Sequence, residues 1–202
     1  MSTAARPLVL ASSNAGKLEE FRALLAADGF EVRAQTAFGV ADADETGLSF
    51  IENAILKARH ACRATGLPAL ADDSGLCVDA LDGAPGLYSA RYAGGHGDAD
   101  RNIERLLHEL AAVPDERRGA HFVCALALLR HAEDPRPIIV EGRWDGMILR
   151  ERRGSGGHGY DPVFLDPAQG RTAAEMPAGL KNRLSHRGQA MGLLRARLEA
   201  SW

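Results

Sequence analysis

No long hydrophobic run occurs near the start of this 202-residue chain. The apolar stretch there, Leu8-Val9-Leu10-Ala11, is far too short for a signal-peptide core or a membrane span. A cytoplasmic location with no membrane partner is the resulting expectation. An excess of charge of one sign is missing too: Lys and Arg number 24 against 27 Asp and Glu, a formal net charge of -3. Without a global basic field the chain is not expected to hold a nucleic acid polymer, and any polyanionic ligand must be met by a local cluster. Cysteine is scarce. Cys62, Cys77 and Cys124 lie far apart in apolar stretches without C-x-x-C spacing, and the seven histidines make no H-E-x-x-H pattern. Reduced core thiols are expected, and a structural zinc is not. No repeat, low-complexity tract or Ser/Pro-rich linker marks a boundary, so residues 1–202 are read as one domain, and any lobes must share the chain.

What is present is globular in balance, with 46% apolar and 25% charged residues. A chain of this length buries roughly 70% of its unfolded surface, enough for a core without covalent staples. Leu8 to Ala11 reads as a buried strand, and Lys17 to Ala27 carries Leu18, Phe21, Leu24 and Leu25 at helical spacing. Glu31 to Ala34 suggests a second strand. Ser49-Phe50-Ile51-Glu52 is a capping box that opens a helix running to about Ala64. Pro68 to Ala71 reads as a short strand that stops at Asp72-Asp73-Ser74-Gly75, with the acidic pair at the strand end. An extended pattern then resumes from Leu76 to Leu81. Asp98 or Asp100 can cap a helix bearing Ile103, Leu106, Leu107 and Leu110, closed by Pro114. His121 to Leu129 and Ile138 to Leu149 flank a turn-rich segment and suggest a long antiparallel pair, and Gln189 to Leu198 is a final amphipathic helix. Strands and helices intermix, which places the chain in the α/β class with a mixed sheet.

Four segments can carry chemistry. Ser12-Ser13-Asn14-Ala15-Gly16-Lys17 follows a strand and opens a helix, where amides, hydroxyls, the helix dipole and a lysine can face a phosphate. A P-loop would need Gly at position 11 and Ser or Thr at 18, where this chain has Ala11 and Leu18, and an ordinary capped turn is the alternative. Asp72 and Asp73 follow an apolar strand and point to opposite faces if extended, so one can serve a ligand site. Glu45, in the loop before the second helix, can add a second oxygen ligand. Mg²⁺ suits such a pair, because it takes one or two carboxylates and completes its shell with water and phosphate oxygens. A solvated acidic turn is the bland reading. Gly154 to Pro162 is too rich in glycine for a helix or strand. It offers His158 and Tyr160 as rings, Gly159 as a point of close backbone approach, and Asp161 as an acid; a loop with a buried Tyr160 is the competing view. Lys181-Asn182-Arg183-Leu184-Ser185-His186-Arg187-Gly188 sets three cations and a histidine before the last helix, against the dipole, or else forms a solvated turn.

Together these segments resemble the inosine triphosphate pyrophosphatase family, from about Leu8 to Leu198. The resemblance is carried in order by Ser12 to Lys17, Glu45 to Ala54, Ala71 to Leu76, Gly83 to Gly86 with Tyr88 to Tyr92, Gly159 to Pro162 and Ser185 to Arg187. It implies an elongated two-lobed α/β fold with a mixed central sheet, a cleft between the lobes, and a homodimer. It also implies roles: Ser12 to Lys17 hold the triphosphate, Glu45 and Asp73 bind Mg²⁺, and Asp73 is the base for the attacking water. Ser74, His158, Gly159, Tyr160, Asp161, Lys181, His186 and Arg187 contact the nucleotide. His158 stands where the family usually has Phe, whose ring would stack on the purine. The implied activity is hydrolysis of ITP, dITP or XTP to the monophosphate and pyrophosphate. A nucleotide sensor without turnover, or a pyrophosphatase for another modified nucleotide, is the alternative.

Overall fold

The structure, a computed structural model, describes residues 5–25, 28–95 and 97–201. Seven strands form one sheet in the order β2-β1-β3-β4-β5-β6-β7. They are β1 (Arg6–Leu10), β2 (Phe30–Ala34), β3 (Ala69–Val78), β4 (Gly119–Leu129), β5 (Ile138–Ile148), β6 (Phe164–Asp166) and β7 (Arg171–Thr172). The helices are α1 (Ala15–Leu25), α2 (Phe50–Thr65), α3 (Ala99–Glu109), α4 (Ala178–Leu184) and α5 (His186–Ser201). β1 lies parallel to both β2 and β3, whereas β5, β6 and β7 pair antiparallel, so the sheet is mixed and the α/β class holds. Among the described residues no helix is long and apolar enough to cross a membrane.

The chain divides into two compact units. The first is residues 1–73, 125–141 and 190–202; the second is 74–124 and 142–189. The first unit has a core of small side chains. Ala54, Ala58, Ala61 and Cys62 of α2 pack with Val9, Ala69, Ala71, Ala125 and Ala127 from the strands. Cys62 and Cys124 are buried and Cys77 is half-buried, all three as thiols, and burial pushes the Cys62 thiol up to about 11, which keeps it protonated at neutral pH. The second unit has the larger side chains. Leu76, Val78, Ile103, Leu106 and Leu110 meet Phe122, Trp144 and Phe164, with ring centroids 4.6 Å apart for Phe122–Phe164 and 5.0 Å for Trp144–Phe164.

Local signals explain most element boundaries. Ser49 Oγ accepts from the Glu52 N–H at 3.2 Å. The Glu52 carboxylate accepts from the Leu48 N–H at 2.9 Å and the Ser49 hydroxyl at 2.8 Å, so the reciprocal bond of the expected box falls one residue earlier. Asp98, rather than Asp100, caps α3 through the Arg101 N–H. Helix α1 is described to Leu25, and Ala27, its expected end, lies outside the described residues.

Two readings need correction. The acidic pair does not end a strand: β3 runs unbroken from Ala69 to Val78 with Asp72 and Asp73 in its middle, both buried. The strand continues because each carboxylate meets a lysine ammonium, which removes the cost of an unpaired buried charge. Nor is Lys181 to Gly188 a turn before the last helix. Lys181 and Arg183 form the last turn of α4, where the dipole favours cations, and α5 already begins at His186. Ser185 makes this break possible. Its N–H donates to the Lys181 carbonyl at 2.8 Å, closing α4, and its Oγ accepts from the Gly188 N–H at 3.1 Å, opening α5.

The turn between β4 and β5 is held by Asp134, whose side chain is 1% exposed. It accepts from the Arg130 N–H at 3.0 Å, from the Arg130 guanidinium at 2.9 and 2.7 Å and from the Arg136 N–H at 2.9 Å. The Arg130 side chain and these amides hold the carboxyl far below the usual range. Asp134→Ala leaves the partly buried Arg130 and Arg136 N–H bonds unmade and removes the partner of the Arg130 guanidinium, and should cost about 2 to 3 kcal/mol. That corresponds to a fall in Tm of roughly 4 to 12 °C for a chain of this size, read by calorimetry at pH 7. The folded pKa is depressed, so the carboxylate's contribution is present above about pH 3.9 and fades as pH falls below that value. The gap between wild type and variant should narrow in the same window.

Candidate active site

In the first unit the expected phosphate segment joins β1 to α1. Asn14 Oδ1 accepts from the Lys17 N–H at 3.0 Å, which makes Asn14 the cap of α1, and Ser12 Oγ accepts from the Asn14 N–H at 3.1 Å. The Ser13 hydroxyl donates to Asp42 at 2.6 Å, and the same carboxylate accepts from the buried Gln35 amide at 2.5 Å. The Lys17 ammonium lies 2.8 Å from Asp72, whose side chain is fully buried. The helix start, Ser12 and Lys17 are therefore brought together, while Ser13 is engaged by a residue that sequence reasoning did not single out.

A second charge cluster lies on the adjacent residue of β3. Lys57 Nζ, from α2, is 2.6 Å from Asp73 Oδ1 and 3.0 Å from Glu45 Oε1, so the two expected metal carboxylates converge on a single ammonium. Burial raises the Asp73 carboxyl above the ordinary carboxylate range; the Lys57 ammonium opposes that shift and the Glu45 carboxylate adds to it. Burial alone would lower Lys57, but the carboxylates of Asp73 and Glu45 outweigh it and keep the ammonium protonated. The loop bearing Glu45 is pinned where it enters α2. The Gly47 N–H donates to the buried Asn53 side chain at 2.8 Å, and a Cβ at Gly47 would lie 2.7 Å from that same Oδ1. Only glycine fits there.

Lys57 and Asn53 were missed from the sequence. The available signal was helical spacing: both occupy the face of α2 that otherwise carries Ala54, Ala58 and Ala61, and a lysine on an alanine face calls for a partner. The donor set suits a hard divalent cation, since two carboxylates already share one positive charge.

In the second unit Arg187 Nη2 lies 3.4 Å from Ser74 Oγ, joining two of the expected contact residues. His186 stacks on Phe122 with ring centroids 4.9 Å apart and planes 13° from parallel. Asp161 is buried and accepts from the His158 N–H at 2.5 Å and from the Lys181 ammonium, so one carboxylate orients both the glycine loop and a cation. Gly157, at φ 76°, is required there, because a Cβ would collide with that carboxylate. The His158 side is exposed. Tyr160 is buried, and its hydroxyl donates to the Ser89 carbonyl at 2.8 Å, which gives its ring a packing role. Gly159, between them, is exposed with φ 58°.

A model of the Ham1 family matches residues 8–197. A curated dITP/XTP pyrophosphatase of Xanthomonas oryzae pv. oryzae is 62% identical over 193 residues, 96% of this chain and 97% of that one. The dITP/XTP pyrophosphatase of Salmonella paratyphi A is 58% identical over 187 residues, 93% of this chain and 95% of its own. Among solved structures, a HAM1 protein from Coxiella burnetii is similar with a TM-score of 0.92 at 48% identity, covering 97% of this chain and 100% of that chain.

Proposed function

Since the chain belongs to the Ham1 family, we propose that it hydrolyses non-standard purine nucleoside triphosphates, of the ITP, dITP and XTP type, to the monophosphate and pyrophosphate. The observation that carries this reading is the convergence of Glu45 and Asp73 on one cationic position, one residue along β3 from the Lys17–Asp72 pair. Curated relatives at 62% and 58% identity carry the name of that activity. Pyrophosphate release measured across ITP, XTP, GTP, ATP and dUTP, with and without Mg²⁺, tests it; no release from any purine triphosphate refutes it.

In the reaction, water attacks the α-phosphorus, a new P–O bond forms as the bond to the bridging oxygen breaks, and pyrophosphate departs with that oxygen. Asp73 accepts the proton of the water as the general base. Mg²⁺ is the cofactor that Glu45 and Asp73 would hold, and when bound it neutralises phosphate charge and acidifies water. The segment Ser12, Ser13, Asn14, Ala15, Gly16 and Lys17 binds the triphosphate through Lys17 and the start of α1, which favours anions. Ser74, Lys181, His186 and Arg187, with the loop of His158, Gly159, Tyr160 and Asp161, take the nucleoside. Asp161 acts by holding Lys181 and the loop. The reading treats the chain as a single pyrophosphatase domain, working as a cytoplasmic homodimer that clears the nucleotide pool.

His158 is exposed, which suits stacking on a base. His158→Ala should raise KM for ITP about tenfold, in line with the worth of one base-on-ring contact. His158→Phe should leave KM equal or lower. Steady-state kinetics decide, and an Ala variant with wild-type KM removes His158 from base binding.

A further inference from the structure

The two carboxylates assigned to a divalent cation are already bridged by a cation of the chain's own. Lys57 Nζ is 2.6 Å from Asp73 Oδ1 and 3.0 Å from Glu45 Oε1, with the lysine side chain 13% exposed and that of Asp73 11%. Its stem rises from a helix turn flanked by buried Ala54, Ala58 and Ala61, and Asn53, one turn earlier, pins the Glu45 loop. The ammonium is therefore delivered to this point by rigid backbone on both sides. Two carboxylates in a largely buried place would repel each other if left alone, and removing their counter-charge is costly.

We propose that Lys57 is an internal counter-ion that occupies the metal carboxylates in the nucleotide-free protein, competes with the divalent cation for them, and thereby couples metal entry to arrival of the anionic ligand. The inference rests on the reading of Glu45 and Asp73 as metal ligands. An ammonium hydrogen-bonded to one oxygen of each carboxylate competes with a metal for their lone pairs and repels its charge, so a metal entering alone must weaken or displace both ion pairs. A phosphate anion offers the ammonium a replacement partner. Lys57 sits on a flexible four-carbon stem with three donors and can shift from carboxylate to phosphate oxygen without unfolding α2. The coupling is reciprocal: whatever draws Lys57 away strengthens metal binding, and metal binding releases Lys57 for the anion.

A lysine that merely filled space would, on removal, leave metal affinity unchanged or weaker as its neighbours relaxed. Competition gives the opposite sign. The test is a Mn²⁺ titration of the full chain without nucleotide, with free Mn²⁺ followed by electron paramagnetic resonance, for wild type, Lys57→Met, Lys57→Arg and each with Glu45→Gln. Lys57→Met should bind Mn²⁺ at least about tenfold more tightly than wild type, within the usual range of site-to-site coupling. Lys57→Arg, which keeps the charge, should stay near wild type. Circular dichroism checks folding, and Lys57→Gln takes the place of Lys57→Met if that variant does not fold. Unchanged or weaker Mn²⁺ binding on loss of the lysine charge, with binding still sensitive to Glu45→Gln, overturns the competition and leaves the metal site standing. Binding indifferent to Glu45→Gln in every background overturns both.

Discussion

Asp73→Asn is expected to keep the fold and lose at least about 10²-fold in kcat for ITP, the usual scale for removal of a general base, with a further loss where metal binding suffers. The fold should survive for two reasons. The amide oxygen can still accept from Lys57, and Lys57 keeps Glu45 at 3.0 Å. Burial raises the Asp73 pKa while the pairing with Asp73 and Glu45 raises that of Lys57, so the variant sheds a disfavoured carboxylate but weakens the charge pairing of a largely buried ammonium. Replacing it with a neutral isostere, which still accepts from Lys57, should lower Tm only modestly while activity collapses. Measured pyrophosphate release and Tm on the same preparation separate the two effects. Near-normal turnover at saturating Mg²⁺ would remove Asp73 from the chemistry.

The second large effect is selectivity for the base. ITP or XTP and their deoxy forms should be cleaved at least about a hundredfold more efficiently than ATP, because donors directed at a 6-keto oxygen are left facing a 6-amino group when adenine enters. The second unit carries donors whose positions are held by the protein. Lys181 is oriented by buried Asp161, Arg187 lies 3.4 Å from Ser74 Oγ, and His186 is kept flat against Phe122. Donors fixed in this way cannot easily turn to suit an amino group, and that rigidity makes the mismatch costly. The ratio of kcat/KM for ITP and ATP is the measurement, and equal values would show that base recognition lies elsewhere.

The fold class and most helix starts were legible because their signals are local. Ser49 and Glu52 lie three residues apart, as do Asp98 and Arg101, and a cap is a hydrogen bond within one turn. The run Leu8 to Leu10 is buried along its whole length, as a strand paired in parallel on both sides must be. The break of β3 expected at Asp72 was a misreading of the same kind of signal. Adjacent acids look like a strand end when judged alone, and only their lysine partners, 55 and 16 residues away, allow the strand to pass through.

The sequence by itself determined the alternation of strands and helices, the caps, and which residue types could meet a phosphate, a metal or a base, since each follows from periodicity or from bonds between near neighbours. Only the tertiary structure decided how those residues are paired. It placed Lys57 between Glu45 and Asp73, gave Asp72 to Lys17 and the Ser13 hydroxyl to Asp42, and set Arg187 beside Ser74 across 113 residues of chain. It also turned Tyr160 into the core and left the His158 side exposed, although the two are separated by one glycine. Such pairings depend on which helix packs on which strand, and a buried charge takes whichever opposite charge that packing brings within about 3 Å, because leaving it unpaired costs more than any local preference.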